Sequence, residues 1–490
     1  MLPFKTLIVI DERSTTAVYR QIADRLIVLI TEGVIQPGTF LPSTRELAVM
    51  LDKHRNTIVA AYEELITQDW IETLPRIGIR VALNLPLIKP RSFQEGGKNH
   101  TYSSPAKFYF KQVPGTAVQH PLLKRTSILV NDGFPDADLT PFDSMLKEYR
   151  KLLQGTKVKR LMSMKDFGGT PALKESTVNF LNGSRGLNIS KDNLLITRGG
   201  QMAIYLAAAM ILKPGDNVLV SDPSYYVADA VFKQAGANLI RIPVDKEGMD
   251  VEAVENALKN FKINLLYTIP HHHHPTTVTM SQSRRTKLLE LIRSYQLPVI
   301  EDDYDYDFHY SNSPVLPLAS SDHGSNVLYV GSFTKLLAPS CRIGYLIGPA
   351  NFITQATNLK RLIDLRGDTL MEEALSSIIN SGELERHIKK SNKIYSERCD
   401  QTARAMNDQL ADVLDFTKPQ GGMALWLKFK AAYPLGDIIP KAQNLGLMLL
   451  GSAYYEGADQ IHNGIRFGFA SLKEAEMQHA IEIFRKITTQ

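Results

Sequence analysis

Gly331-Ser332-Phe333-Thr334-Lys335, followed by Arg342 seven residues beyond the lysine, is the densest chemical signal in this 490-residue chain. A lysine amine whose surroundings lower its pKa attacks an aldehyde and forms a Schiff base with it. Ser332 before the lysine and Arg342 after it carry the hydroxyl and the guanidinium that together suit a phosphate on the same ligand. Around this stretch, residues 126–490 alternate apolar strands with amphipathic helices. Asn217-Val218-Leu219-Val220, Ile263-Asn264-Leu265-Leu266-Tyr267 and Pro298-Val299-Ile300 read as buried strands that end in polar residues. That alternation predicts an α/β domain, a mostly parallel sheet covered by helices, with ligands bound beyond the carboxyl ends of the strands.

The rest of the chain divides into two further zones. Residues 1–84 read as a helix-rich unit with a short strand-like end. Residues 85–125 contain Pro86, Pro90, Pro105, Pro114 and Pro121, with Gly96-Gly97 and scattered lysines, and read as a flexible basic linker. The hydrophobic fraction of 44% is ordinary for a globular protein, and a net charge of +5 is too small to argue for nucleic acid by itself. Cys341 and Cys399 are the only cysteines, which excludes a disulfide framework and fits a reducing cytoplasm. The apolar patch Leu7-Ile8-Val9-Ile10 is followed by acids and no cleavage pattern, and no run approaches the ~18 apolar residues that span a bilayer. The expected location is cytoplasmic.

One cofactor carries both an aldehyde and a phosphate, and the stretch ending in Lys335 therefore points to pyridoxal phosphate. Its pyridine nitrogen needs a carboxylate partner, and Asp302, after the strand Pro298-Val299-Ile300, is the candidate, with Tyr304 in reach of the phenolic oxygen. Standing alone, Asp302 to Asp307 would read equally as an acidic loop or a metal site. Gly199-Gly200-Gln201, ahead of a helix expected from Met202 to Leu212, supplies small residues and backbone donors for the phosphate. Tyr225, after a further strand, has a ring that can stack on the cofactor or simply fill the core. The run His271-His272-His273-His274 contains adjacent side chains that cannot all point at one ion, and no metal is assigned to it.

In the N-terminal zone, Val18, Ile22, Leu26 and Leu29-Ile30 recur at helical spacing up to Gly33, and Pro37-Gly38 makes a turn. Ser43 then caps a short helix in which Glu46 completes a capping box. A third helix follows Lys53-His54, with Ile58, Ala61, Tyr62 and Leu65 on one buried face. Trp70 to Thr73 and Ile79 to Val81 read as a two-stranded wing. Two helices joined by a tight turn let the second lie in the major groove with its N-terminal residues at base edges. Arg55, Asn56 and Thr57 stand there, Ser43 and Arg45 lie near phosphate or a guanine edge, and Arg76 and Arg80 belong to the wing. A small helical unit that binds only protein is the plainer alternative, since acids and bases nearly balance within residues 1–84.

Two resemblances cover these zones. Pro37-Gly38, Leu41-Pro42-Ser43-Thr44-Arg45-Glu46-Leu47-Ala48, Arg55-Asn56-Thr57 and Ala61-Tyr62 with Leu65 resemble the GntR-type winged helix, apart from a wing that reads Arg76-Ile77 where Gly-Ser is common. From about Gly133 onward the chain resembles fold-type I aminotransferases. That likeness implies a lysine-linked cofactor at Lys335, Asp302 on the pyridine nitrogen, Tyr304 on the phenolic oxygen, and Ser332, Arg342, Gly199, Gly200 and Gln201 on the phosphate. It also implies that Arg466, in Ile465-Arg466-Phe467-Gly468-Phe469-Ala470, grips a ligand carboxylate. Where such enzymes usually read Asn-Pro-Thr-Gly, this chain has His274-Pro275-Thr276-Thr277, so His274 replaces the asparagine that bonds the phenolic oxygen.

The two parts in this order resemble the MocR/GabR-type bacterial regulators. The implied function is transcription control on operator DNA by a domain-swapped homodimer. An amino acid or amine effector would be sensed by Schiff-base exchange at Lys335, and the protein would be nucleoid-associated when bound. An active aminotransferase with a DNA-binding head, and a sensor of pyridoxal phosphate itself, are the alternatives.

Overall fold

The computed structural model describes residues 2–86, 106, 108–111, 113, 127–155, 158–163, 166–310, 315–451, 455 and 462–489. The chain divides into two compact units, Met1–Phe110 and Lys111–Gln490. Nearly all of the linker expected over 85–125, including Pro90, Pro105, Pro114 and Pro121, lies outside the described residues.

The first unit is a winged helix-turn-helix. Its helices are Phe4–Leu7, Val18–Thr31, Thr44–Leu51 and Arg55–Thr67. The capping box forms as the spacing predicts: Ser43 Oγ accepts from the Glu46 amide at 3.3 Å, and Glu46 Oε2 accepts from the Ser43 amide at 2.8 Å. Asp52 takes a left-handed conformation that ends this helix, and His54 Nδ1 accepts from the Asn56 amide at 3.2 Å to start the next. The tight turn therefore consists of Asp52, Lys53 and His54. Ile58, Ala61, Tyr62 and Leu65 are buried on one face of Arg55–Thr67 as expected, packing with Ile22, Leu26, Leu47 and Trp70. The buried Tyr62 hydroxyl donates to Pro42 O at 2.8 Å and ties Arg55–Thr67 to the turn before Thr44–Leu51. The wing hairpin is Ile71–Leu74 with Gly78–Val81, and a third strand, Phe40–Leu41, pairs with the outer side of Gly78–Val81. The two-stranded wing forms as expected, and this third strand extends its sheet.

The second unit is built on an eight-stranded sheet. Its order is Leu194–Thr197, Gly344–Ile347, Val327–Ser332, Val299–Asp303, Leu265–Thr268, Asn217–Asp222, Asn238–Asp245 and Gly248–Met249. The five strands from Val327–Ser332 to Asn238–Asp245 run parallel, and Val299–Asp303 is buried along its full length. Gly344–Ile347 runs antiparallel to both neighbours, because only the loop 333–343 returns it from Val327–Ser332, with no crossover helix. Helices cover the sheet, among them Gly200–Ile211, Gln282–Tyr295 and Ala350–Asp364. A separate antiparallel sheet of Leu414–Asp415, Ala424–Phe429 and Gly464–Gly468 packs with the long helix Glu383–Leu410 and with Glu474–Thr488. The five parallel strands end in Asp222, Asp245, Thr268, Asp303 and Ser332, so polar groups gather along one edge of the sheet. Among the described residues, no helix is long and apolar enough to cross a membrane.

Candidate functional site

A cavity of about 280 Å³ opens at that edge, and Lys335 lies in its wall with Asp302, Tyr304, Ser332, Arg342, Gly200, Gln201, Tyr225 and His274. Nine residues that the sequence singled out are therefore brought together. Gly199 lies directly behind them and Arg466 reaches Tyr304.

The phosphate-sized end is made by the first turn of Gly200–Ile211, a helix that starts two residues earlier than expected. The first amides of a helix have no partner within it and favour an anion. Gly199 holds φ at 81°, and a Cβ there would stand 3.1 Å from Arg342 Nη2, so only glycine lets the guanidinium lie against this turn. Arg342 Nη2 donates to Arg198 O at 3.1 Å, and Ser332 Oγ accepts from the Thr334 amide at 3.1 Å.

At the other end, Asp302 Oδ2 accepts from the Tyr267 hydroxyl at 2.7 Å. Burial pushes the Asp302 carboxyl up to about 7, against the pull of that hydrogen bond. A cation brought against it would hold it ionised. Lys335 Nζ donates to Gly133 O at 2.8 Å and sits 4.0 Å from the centre of the Phe134 ring. Burial lowers its pKa to about 8, with Asp132 opposing the shift.

The four histidines bond four separate places. His271 Nε2 meets Val315 O at 2.5 Å, His272 Nδ1 meets Asp305 Oδ1 at 2.9 Å, and His273 spans Thr276 Oγ1 and Ser221 Oγ, both at 2.8 Å. Among the described residues, no group of three His, Cys, Asp or Glu side chains is arranged to hold a metal ion. His274 Nε2 binds Asp132 Oδ2 at 2.6 Å, while its Nδ1 is buried without a partner. The Tyr225 ring stands edge-on to His274, with centroids 4.8 Å apart. Tyr304 donates to His272 O at 2.8 Å and accepts from Arg466 Nη2 at 2.9 Å.

Asp132, Tyr267 and Tyr455 belong to this site and were not foreseen. Asp132 contacts partners 142 and 323 residues away, so no local pattern marks it; its only signal is its place beside Gly133.

Pyridoxal phosphate fits what is present. A helix start opened by a glycine at positive φ faces Arg342 and Ser332, a carboxylate stands at the opposite end, and a lysine with a lowered pKa stands in the wall. The unpartnered Nδ1 of His274 leaves one polar atom for a ligand to satisfy.

In the first unit, Arg45, Arg55, Asn56 and Arg76 are exposed, Thr57 is half-buried, and Ser43 is occupied in its cap. Arg80 is half-buried and its Nε pairs with Glu72 at 2.7 Å, so of the two wing arginines Arg76 is the more available to a ligand.

The family model for aminotransferase class I and II matches residues 130–484, and that for bacterial regulatory proteins of the gntR family matches residues 18–81. The uncharacterized HTH-type transcriptional regulator YisV of Bacillus subtilis is 27% identical over 486 residues, covering 97% of this chain and 98% of that relative. The probable rhizopine catabolism regulatory protein MocR of Rhizobium meliloti is 25% identical over 493 residues, covering 98% of this chain and 95% of its own. Among solved structures, kynurenine aminotransferase of Pyrococcus horikoshii, in complex with PMP, superposes with a TM-score of 0.69 at 29% identity, over 74% of this chain and 91% of that one.

Proposed function

The chain belongs to the aminotransferase class I and II family and carries a GntR-type winged helix ahead of that domain, as MocR-type regulators do, and we propose that it is a pyridoxal phosphate-dependent bacterial transcription regulator that senses an amino acid or amine. The observation that carries the proposal is the presence, in one chain, of a capped helix with exposed Arg55 and Asn56 and of a cavity walled by Lys335.

Lys335 would hold the cofactor covalently and Asp302 would pair with its pyridine nitrogen. Ser332, Arg342, Gly199, Gly200 and Gln201 would hold its phosphate, with Tyr225 against the ring and Tyr304 and His274 serving the phenolic oxygen. When bound, pyridoxal phosphate supplies an aldehyde that condenses reversibly with amines, next to an electron-poor ring. Lys335 would compete with an incoming amine for that aldehyde, and its free amine donates to Gly133 O, the contact seen here. Arg466 fixes the wall that the rest of the amine meets, through its bonds to Tyr304 and Pro275 O. The effector must favour one conformation over another to act as a switch, and the release of Lys335 supplies such a difference.

Only the neutral lysine is nucleophilic, and a pKa near 8 places its deprotonation within reach of ordinary conditions. The rate at which the apoprotein captures pyridoxal phosphate should rise about tenfold per pH unit below that point and level off above it. A stopped-flow series from acid to alkaline pH checks this; a rate still climbing steeply well above that pKa would mean an unperturbed lysine.

On DNA, Arg55, Asn56 and Thr57 would face base edges, Ser43 and Arg45 the backbone or a guanine edge, and Arg76 and Arg80 the wing contacts. Arg55→Ala should weaken operator binding by about 1–3 kcal/mol and leave cofactor binding unchanged. Fluorescence anisotropy with operator and the cofactor's absorbance would read the two separately. We further infer a cytoplasmic homodimer whose two heads read paired half-sites, which sedimentation with and without DNA would test.

A second reading, an active aminotransferase, is favoured by one observation: a lysine of lowered pKa in the cavity can also move protons. Turnover with amino donors and keto acids near the ~10 s⁻¹ typical of enzymes would support it over a pure regulator. Operator binding that responds to pyridoxal phosphate alone and to no amine would instead point to a sensor of the cofactor.

A further inference from the structure

Asp132 stands beside Arg466, the residue expected to grip a ligand carboxylate, with its Oδ1 3.5 Å from Nε. The turn that carries it is pinned: Asn131 Oδ1 accepts from the amides of Gly133 and Phe134 at 3.0 and 2.8 Å, Asn131 Nδ2 donates to Ser471 Oγ at 2.7 Å, and the Gly468 amide donates to Asn131 O at 3.0 Å. Gly133 holds φ at 79°, and a Cβ there would lie 3.3 Å from the Ala424 Cβ and 3.4 Å from Arg466 Nη2. The turn is therefore pressed against the strand that bears Arg466, and the Asp132 side chain, 15% exposed, faces the cavity.

Its carboxylate is surrounded by donors. Oδ2 takes His274 Nε2 at 2.6 Å, Oδ1 takes the Tyr455 hydroxyl at 3.0 Å, and Arg466 Nε lies 3.5 Å from Oδ1. Burial alone would push this carboxyl up, but the bond and charge of His274, with Arg466 and Lys335, hold it below the usual carboxylate range.

All three nitrogens of Arg466 already have protein acceptors: Nε meets Asp132 O at 3.3 Å, Nη1 meets Pro275 O at 3.1 Å, and Nη2 meets the Tyr304 oxygen at 2.9 Å. Its side chain is 1% exposed. A ligand carboxylate could reach only the one remaining N–H on each Nη of this enclosed guanidinium and would stand beside a second carboxylate, an arrangement in which two like charges oppose each other. A ligand ammonium would meet a carboxylate with acceptor capacity remaining, since an ionised carboxylate has about four lone-pair sites.

On the reading that amines are sensed at Lys335, we propose that the effector is a short diamine without a carboxylate, one amine reacting in place of Lys335 and the other held by Asp132. The reaction balances as an exchange: the C=N bond from the cofactor carbon to the Lys335 nitrogen is replaced by one to the ligand nitrogen, and the protons shed by the incoming ammonium pass to the lysine nitrogen, which leaves as an ammonium with no proton or electron drawn from elsewhere.

The test titrates the cofactor-loaded full-length protein with 1,3-diaminopropane, 1,4-diaminobutane, 1,5-diaminopentane, butylamine and 4-aminobutanoate, together with a set of L-α-amino acids, following the visible absorbance band. A diamine should shift the band at a concentration at least about tenfold below butylamine and below every carboxylate-bearing compound, the worth of one charge-assisted hydrogen bond. Asp132→Asn should remove that preference. A stronger response to 4-aminobutanoate or to an α-amino acid would overturn the diamine assignment and leave amine sensing intact. A band that no amine moves would overturn both. If Asp132→Asn loses the cofactor through misfolding, the ranking of the wild-type panel still decides.

Discussion

Replacing Lys335 with alanine should abolish the visible absorbance band of the lysine-linked cofactor while leaving the protein folded. The band depends on a covalent bond that only an amine at this position makes, and among the described residues no other lysine borders the cavity. The lysine's direct hydrogen bond is the one to Gly133 O, and burial already works against its charge. Removing it thus takes away one hydrogen bond and relieves the cost of a partly buried cation, so the apoprotein's stability should change by no more than about 1 kcal/mol. Absorbance and circular dichroism on the same samples separate the two effects. An unchanged band would place the covalent attachment elsewhere.

Gly344→Ala should be nearly as damaging, and it acts without touching the ligand. A Cβ on Gly344 would lie 2.6 Å from the carbonyl carbon of Gly199, 2.7 Å from its Cα and 2.8 Å from the Gly200 nitrogen. These are backbone atoms, and neither side can move away cheaply. Gly344 is paired with Ser332 on one strand and with Thr197 on the other, while Gly199 and Gly200 open the helix behind the phosphate-sized end of the cavity. The added methyl should cost about 1–3 kcal/mol in overpacking and shift the very amides that the phosphate needs. Cofactor affinity should fall about tenfold or more, the equivalent of one lost charge-assisted bond. Equilibrium dialysis against pyridoxal phosphate, with a thermal melt of the apoprotein, measures both; unaltered affinity would show that the turn at Gly199 carries no phosphate.

Much of this molecule was legible from sequence because its signals are local. The apolar face Ile58, Ala61, Tyr62 and Leu65 follows from helical spacing, and the capping box from Ser43 and Glu46 three residues apart. Most of the candidate cofactor residues were readable because they sit near the end of a strand or the start of a helix, where chain geometry delivers them to one edge of the sheet. What was missed depends on distant partners. Phe40–Leu41 is a strand only because Gly78–Val81 pairs with it, and the reversed direction of Gly344–Ile347 is set by its neighbours, not by its own residues. Asp132 looked like one more acid in a turn, and its meaning comes from His274, Tyr455 and Arg466, which folding brings to it. The expectation that Arg466 waits for a ligand carboxylate rested on resemblance, and the structure puts the chain's own carboxylate beside it.

The central claim is that one chain reads DNA and detects an amine through Lys335. It is tested most directly by anisotropy of a labelled fragment of the intergenic DNA adjoining this protein's gene. The cofactor-loaded full-length protein would be titrated onto it with and without an amine already found to shift the absorbance band. The account predicts that the amine changes the binding isotherm of the wild-type protein, and that Lys335→Ala binds the fragment but gives the same isotherm with or without the amine. A band shift that leaves the wild-type isotherm unchanged, accompanied by keto-acid-dependent turnover at enzyme rates, would contradict it.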